Sequence, residues 1–401
     1  MHDVIVIGAG PAGNMAALRL AEAGRDVVVL DWRSDIGDKL CTGIIGKECV
    51  AKFPPHLDHL YHEARAASIV SPSGHRFRVE KPEPQAYIVD RIAYVNSFAT
   101  KAKEAGAQYL LEHRVTNLRI NRDSAIVKAT YNGQKKILEA EMLVIASGFG
   151  SPLLRMAGLS SGKPEDYMIG CQAIVEAPEL TETEVFVGAE IVPKSFAWIV
   201  PFSPGKAMVG MAPRTQVGDN MDRFLKTLTD SGVVASVLSP NQTWGIPIRP
   251  LPKTYGTRVL VVGDSAGLVK PTTGGGIYYA LISGELAALT IGEAFDVGRF
   301  ESPELVRYEK AWKGVFGKEL RVGYYARLMF ESLNDKQVES LLEEFLSEKM
   351  LNEVLNAPDF SFDWHSTIII KVLRHTNMRK IIRSFGPAVA PFAARLLRAR
   401  A

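Results

Sequence analysis

Cysteine is scarce: only Cys41, Cys49 and Cys171 occur in 401 residues. Three are too few for a disulfide framework and one short of the four thiolates an iron–sulfur cluster takes, and they suit a reducing cytoplasm. Long apolar runs are lacking, since none approaches the roughly 18 residues that span a bilayer. Met1-His2-Asp3 leads straight into an apolar strand, without the basic start and small-residue cleavage site of a leader. Charge of one sign is lacking too. The 47 Lys plus Arg nearly balance 44 Asp plus Glu, a net charge of +3 that gives no basis for binding nucleic acid. No internal repeat or low-complexity linker is visible, and no metal is expected. What remains is a globular composition, 47% hydrophobic and 23% charged, over two to three times the commonest domain length.

The chain opens as strand, glycine turn, helix, strand. Val4-Ile5-Val6-Ile7 is β-branched, Met15 to Ala23 is helical in character with Gly24 as its stop, and Val27 to Leu30 forms a second strand ending at Asp31. Met142 to Ala146 and Val259 to Val262 read as two further strands; runs apolar on both faces suit a buried parallel sheet. Between them, roughly 65–90 and 167–250, alternating segments broken by Pro and Gly read as antiparallel strands. From Ile277 to Phe295, and again from Val306 to Leu355, the periodicity is helical. The expected fold is α/β: a discontinuous Rossmann-like nucleotide domain (1–65, 90–165 and 255–300), an inserted antiparallel β-rich domain (66–89 and 166–254) and a helical C-terminal region (301–401).

Gly8-x-Gly10-x-x-Gly13 sits after a strand and before a helix. Gly8 allows the tight turn, Gly10 lets backbone approach a pyrophosphate, and Gly13 lets helix and strand pack closely. Pro11 and Ala12 complete the turn, and the helix N-terminus presents free N–H groups to the phosphates. Asp31, 18 residues after Gly13, is placed for ribose hydroxyls, with Trp32 and Arg33 adjoining. The motif alone does not separate FAD from NAD.

Two later features point to FAD, both through their resemblance to known flavoproteins. Asp90-Arg91 before a helix resembles the arginine that p-hydroxybenzoate-hydroxylase-like flavoproteins place near the FAD phosphates; a capping Asp beside a surface Arg is the alternative. Gly263-Asp264 ends a strand and leads to Gly274-Gly275-Gly276-Ile277. An Asp there can accept from a ribitol hydroxyl. The glycines let N–H groups approach the pyrimidine end of a flavin, where a helix N-terminus favours the charge of the reduced state. Val115, Ala146 and Gly148 complete the candidate cofactor contacts.

Together with the N-terminal glycine fingerprint, three motifs resemble the geranylgeranyl reductase family of flavoproteins, over about residues 1–300: Lys39-Leu40-Cys41-Thr42-Gly43, Phe196-Ala197-Trp198-Ile199-Val200-Pro201, and the Gly-Asp loop with Pro271-x-Thr273-Gly274-Gly275-Gly276-Ile277. The family pattern at the second is aromatic-x-Trp-x-Phe-Pro. Val200 stands at the Phe position, which bears on pocket lining and substrate length. The resemblance implies an FAD-dependent reductase that saturates isoprenoid C=C bonds of a geranylgeranyl-type lipid by hydride transfer from reduced flavin. It also implies Cys41 beside the flavin ring, as orienting group or proton source, with water or a neighbouring group as the other proton sources. Gly43 and Gly46 would let that loop come close to the ring. Phe196 and Trp198, two apart, face one side of a strand and can line a long apolar ligand. Pro201 and Phe202 would close one end and Trp244 extend the wall; core packing gives the same pattern. An FAD-dependent monooxygenase of an aromatic substrate and a non-catalytic prenyl-lipid carrier stay open.

No second such glycine motif follows a strand, so the electron donor is either NAD(P)H bound transiently or a ferredoxin. From Lys371 to Ala401 there are eight Lys or Arg, Arg400 among them, and no Asp or Glu, with apolar residues interleaved. Such a stretch either contacts a membrane surface or docks on its own domain. A cytoplasmic monomer is expected, at the membrane surface in the first case.

Overall fold

The computed structural model describes residues 1–39, 41–386 and 389–398; Leu40 of the cysteine loop and Arg400 of the basic end lie outside them. The chain begins β1 (His2–Ile7), α1 (Pro11–Glu22), β2 (Val27–Leu30). Val4 to Ile7 and Val27 to Leu30 are all buried, as strands covered on both faces must be. Next come β3 (Ile44–Gly46), α2 (Lys47–Lys52), β4 (Leu60–Ala64), β5 (Ala66–Val70), β6 (Arg76–Glu80), β7 (Ala86–Val89), α3 (Arg91–Glu104) and β8 (Gln108–Leu110). A meander of β9 (Arg114–Ile120), β10 (Ala125–Tyr131) and β11 (Gln134–Ile145) follows. The first half of β11 pairs antiparallel with β10 on a polar edge, and only its second half runs parallel to β1. That is why the sequence shows an apolar run only from Met142.

After the short α4 (Leu153–Met156) come β12 (Tyr167–Glu176), β13 (Thr183–Gly188), β14 (Val192–Ser203), β15 (Lys206–Met211), α5 (Val217–Asp230), β16 (Ser236–Val237) and β17 (Gln242–Pro247). Then β18 (Tyr255–Gly256) and β19 (Val259–Val261) return to the first sheet, whose order is β18-β19-β11-β1-β2-β8. The second sheet runs β16-β12-β15-β14-β13-β5-β6, with β17 on β12. It is antiparallel except for β5 beside β13, a parallel pair whose strands are far apart in the chain. Helix α5 corrects the all-strand reading of 167–250. Met221, Phe224, Leu225 and Leu228 recur at helical spacing and pack on the sheet, a periodicity that the flanking alternation conceals. A separate three-stranded sheet, β3-β7-β4, carries the cysteine loop's exit.

The remainder is helical: α6 (Ile277–Val297), α7 (Ser302–Glu331), α8 (Asp335–Phe345), α9 (Glu348–Leu355), α10 (Ser366–Arg374), α11 (Thr376–Ser384) and α12 (Ala390–Arg398). The apolar residues of the basic end are spent on packing. Ile370, Ile382 and Leu396 are buried in one cluster with Val322 and Met329 of α7, and Phe385 and Phe392 pack against it. Lys371, Arg374, Arg379, Lys380, Arg383 and Arg395 stay exposed.

Candidate flavin and lipid site

A cavity of about 760 Å³ opens between the two sheets, large for a small-molecule site. One wall is the glycine turn. Gly8 holds φ +111°, and a Cβ there would stand 2.3 Å from the Ala146 carbonyl oxygen. At Gly13 a Cβ would stand 1.9 Å from the Gly8 oxygen, so this residue serves the helix–strand contact and does not line the cavity. Gly10 does line it, with nothing within 4 Å of a Cβ. Pro11, Ala12, Ala146, Gly148 and Val115 line the same wall.

Asp31 is buried, its carboxylate accepting from Ala9 N–H at 2.8 Å and Arg33 N–H at 2.9 Å. Those bonds fix the acid at the cavity rim and leave lone pairs for a ribose. Two guanidiniums stand over the Trp32 ring, Arg33 at 4.5 Å and Arg114 at 4.9 Å from its centroid. Asp90 caps α3 by accepting from Ala93 N–H at 3.0 Å, yet Arg91 is not a surface residue. Its guanidinium turns inward to the carbonyls of Gly37 and Lys39, and its buried Nε has no protein partner. Asp264 pairs with Lys39, which opens the cysteine motif but is not among the cofactor contacts expected from sequence. Gly263, Asp264, Gly274, Gly275, Gly276 and Ile277 all line the cavity, and Gly276 N-caps α6 there.

The opposite wall belongs to the inserted sheet. Phe196, Trp198 and Val200 alternate along β14 and all face the cavity, the first two rings 5.5 Å apart. Two glycines make the space: a Cβ on Gly210 would meet the Trp198 ring at 2.5 Å, and one on Gly170 the Trp244 ring at 2.6 Å. Trp244 and Ile246 continue the wall. Trp198 Nε1 is buried without a partner, unusual for an indole. Pro201 departs from expectation. It shares the other strand face with Ala197 and Ile199, which pack under α5, so it does not line the cavity. Phe202 packs against Tyr61 instead, at 5.7 Å.

Cys41 lines the cavity, its sulfur 3.5 Å from Gly43 N–H. Gly43 lines the cavity as well, and both Gly43 and Gly46 are held by close protein contacts. A Cβ at Gly43 would lie 2.5 Å from the Val89 carbonyl oxygen, and one at Gly46 2.2 Å from the Asp363 carboxylate. Cys49 lies behind the wall, and burial pushes its thiol up to about 12, which keeps it protonated and inert. Sequence reasoning missed Lys270, Phe362 and Asp363, which also line the cavity. Lys270 sits inside the glycine motif, but Asp363 is more than 90 positions away and no local pattern marks it.

A family model described as pyridine nucleotide-disulphide oxidoreductase matches residues 2–199. A digeranylgeranylglycerophospholipid reductase of Methanopyrus kandleri is 30% identical over 370 residues, 88% of this chain and 92% of the relative. The chain belongs to the geranylgeranyl reductase family. Its fold matches that of a geranylgeranyl bacteriochlorophyll reductase-like protein from Thermoplasma acidophilum, with a TM-score of 0.85, 23% identity and coverage of 96% and 98% of the two chains. A p-nitrophenol 4-monooxygenase from Pseudomonas putida also shares it, with a TM-score of 0.71, 15% identity and coverage of 88% and 96%. Like the family, this chain binds FAD and is a flavin-dependent oxidoreductase. The residues fit the cofactor: the open flank of Gly10, the unpartnered Nε of Arg91 and the glycine triplet offer donors and clearance along one cavity. No helix among the described residues is long and apolar enough to cross a membrane.

Proposed function

We propose that the chain saturates isoprenoid C=C bonds of a geranylgeranyl-type glycerophospholipid, the class named for its Methanopyrus relative. One observation carries this: the cavity that begins at the dinucleotide turn ends in an apolar wall of Phe196, Trp198, Val200, Trp244 and Ile246, with Cys41 on its rim. A fold shared with a monooxygenase decides nothing; the wall does, because an unactivated alkene offers no charge to grip and has to be positioned by shape.

Bound FAD, once reduced, supplies the hydride. The chain's own residues do the rest. The turn from Gly8 to Ala12 with Asp31 and Arg91 holds the dinucleotide, while Asp264 and the glycine triplet hold the ring end. Phe196, Trp198 and Trp244 lay the prenyl chain along the cavity and exclude water. The Cys41 thiol orients the alkene or gives the proton. Gly13 acts only by packing. The electron donor is NAD(P)H or a ferredoxin. The cationic surface of α10–α12 suits anionic headgroups, so the enzyme visits the membrane surface for its lipid.

The test is anaerobic. Photoreduced enzyme is mixed with a geranylgeranyl glycerophospholipid in mixed micelles, and flavin absorbance and product mass are followed over one turnover. Reoxidation together with a gain of two mass units per flavin is expected. A flavin that stays reduced and a lipid of unchanged mass, with geranylgeranyl diphosphate likewise unreduced, would refute prenyl reduction.

A further inference from the structure

Lys270 is an odd residue to bury. It is 7% exposed, yet it lines the flavin cavity from inside the loop that carries the glycine triplet. Backbone bonds lock it there, Lys270 N–H to the Gly275 carbonyl at 3.0 Å and Gly274 N–H to the Lys270 carbonyl at 2.8 Å. Its stem lies along the triplet: a Cβ on Gly275 would stand 3.1 Å from Cε and 3.8 Å from Nζ. The ammonium donates to the Phe362 carbonyl at 3.0 Å, stands 4.8 Å from the Phe362 ring centroid and 3.7 Å from Asp363 Oδ1. One acceptor within hydrogen-bond distance for three N–H donors leaves capacity for a group in the cavity.

The surroundings make the charge deliberate. Asp363 is 1% exposed and its Oδ2 accepts the N–H groups of Glu48 and Cys49, capping α2 from the far end of the chain. It therefore holds Lys270 in place while its own charge is partly answered by that helix end. Burial and Asp363 push the Glu48 carboxyl up, the Cys49 thiol is pushed up to about 12, and His365 is held neutral. Burial pulls Lys270 down and Asp363 pulls it back. An unneeded buried ion pair is readily replaced by apolar side chains at no loss of stability.

We propose that Lys270 is a charge-poising residue of the flavin site: its ammonium, seated against the glycine triplet, stabilises the negative charge that reduction places on the pyrimidine end of the flavin. Asp363 is its positioning residue. The proposal rests on the FAD reading above and says that Lys270 favours the reduced cofactor over the oxidised one.

The experiment measures the midpoint potential and the sulfite affinity of the bound flavin in wild type, K270M, K270Q and K270R, with apo-protein melting as the fold control. The expected result is unchanged affinity for oxidised FAD in all four. K270M and K270Q should lose tenfold or more in the reduction equilibrium, about 30 mV for two electrons, and tenfold or more in sulfite affinity. K270R should retain most of both. Potentials and sulfite affinities within twofold of wild type in the loaded Met and Gln variants would overturn the proposal. Loss of oxidised FAD from both variants with unchanged melting would also overturn it, since Lys270 would then be a general binding residue. If K270M unfolds, K270Q decides; unfolding of both while K270R folds would make the lysine structural and overturn it equally. Wild type that fails to load FAD would refute the flavin reading itself, a separate outcome.

Discussion

The glycines of the opening turn do different work, and exchanging Gly10 or Gly13 for alanine separates fold from ligand. Gly10 is the N-cap of α1 at φ −79° and ψ −178°, a conformation any residue adopts, and a Cβ there meets nothing within 4 Å. G10A therefore leaves the apo-protein intact, or stabilises it by about 0.4–1 kcal/mol through the unfolded chain. Its methyl does, however, stand on the cavity face, between the first helical N–H groups and any pyrophosphate. FAD affinity should fall at least tenfold, about 1.4 kcal/mol. In G13A the methyl would sit 1.9 Å from the Gly8 oxygen, where side-chain carbons come no closer than 3.0 Å. Helix α1 has to back away by about 1.1 Å from backbone that cannot yield, an overpacking cost of about 1–3 kcal/mol. The apo-protein should melt several degrees lower, and FAD only partly restores it. Melting curves without cofactor and titration of FAD by fluorescence quenching read both effects. G10A with wild-type FAD affinity, or G13A with a wild-type melting point, would refute this division of labour.

His365 donates from Nε2 to the Phe362 carbonyl at 2.8 Å and accepts at Nδ1 from Thr272 Oγ1 at 2.7 Å; burial, with Lys270 nearby, lowers it to about 4. The unfolded chain binds that proton near pH 6.5, so stability falls as pH drops from about 6.5 towards 4, by about 2 kcal/mol at pH 5; urea midpoints at pH 7.5 and 5 check it, and H365Q should flatten the difference. C41A should load FAD normally but reduce lipid about 10- to 100-fold more slowly, and equal single-turnover rates would remove Cys41 from the chemistry. V200F narrows the chamber beside Trp198, so rates with a full digeranylgeranyl lipid should drop at least tenfold more than with a short prenyl substrate; a uniform change would show that this position does not set length.

What the sequence made legible was whatever physics compresses into a few neighbouring residues. The turn from Gly8 to Gly13, the strand ends at Asp31 and Asp264, and the triplet at Gly274 are such places, because a phosphate cradle needs its glycines close together. The alternation of Phe196, Trp198 and Val200 was legible as well, though the same rule puts Pro201 on the opposite face, away from the cavity lining. Other features were hidden because their partners are remote. Arg91 is buried by carbonyls more than 50 positions earlier. Gly46 has no side chain because Asp363 fills its place. The basic end reads as amphipathic, and only the fold shows α7 occupying its apolar side.

The division between the two sheets explains how one fold serves unlike reactions. Most residues proposed to hold the dinucleotide lie at strand ends of the first sheet, with Arg91 added from the end of β7 in the three-stranded sheet. The reacting face is bounded by the second sheet, where glycines at 170 and 210 recess the backbone and let Trp244 and Trp198 lie flat. A side chain at either glycine would lift an indole into the cavity and close the slot a prenyl chain requires. Lys270 and Asp363 tie the glycine loop to the cysteine-loop region: one stands in the glycine loop, the other caps α2 beyond the cysteine loop. The C-terminal helices that deliver Asp363 therefore do more than cover the sheet, since without them the lysine beside the triplet would lose its counter-charge and Gly46 its neighbour.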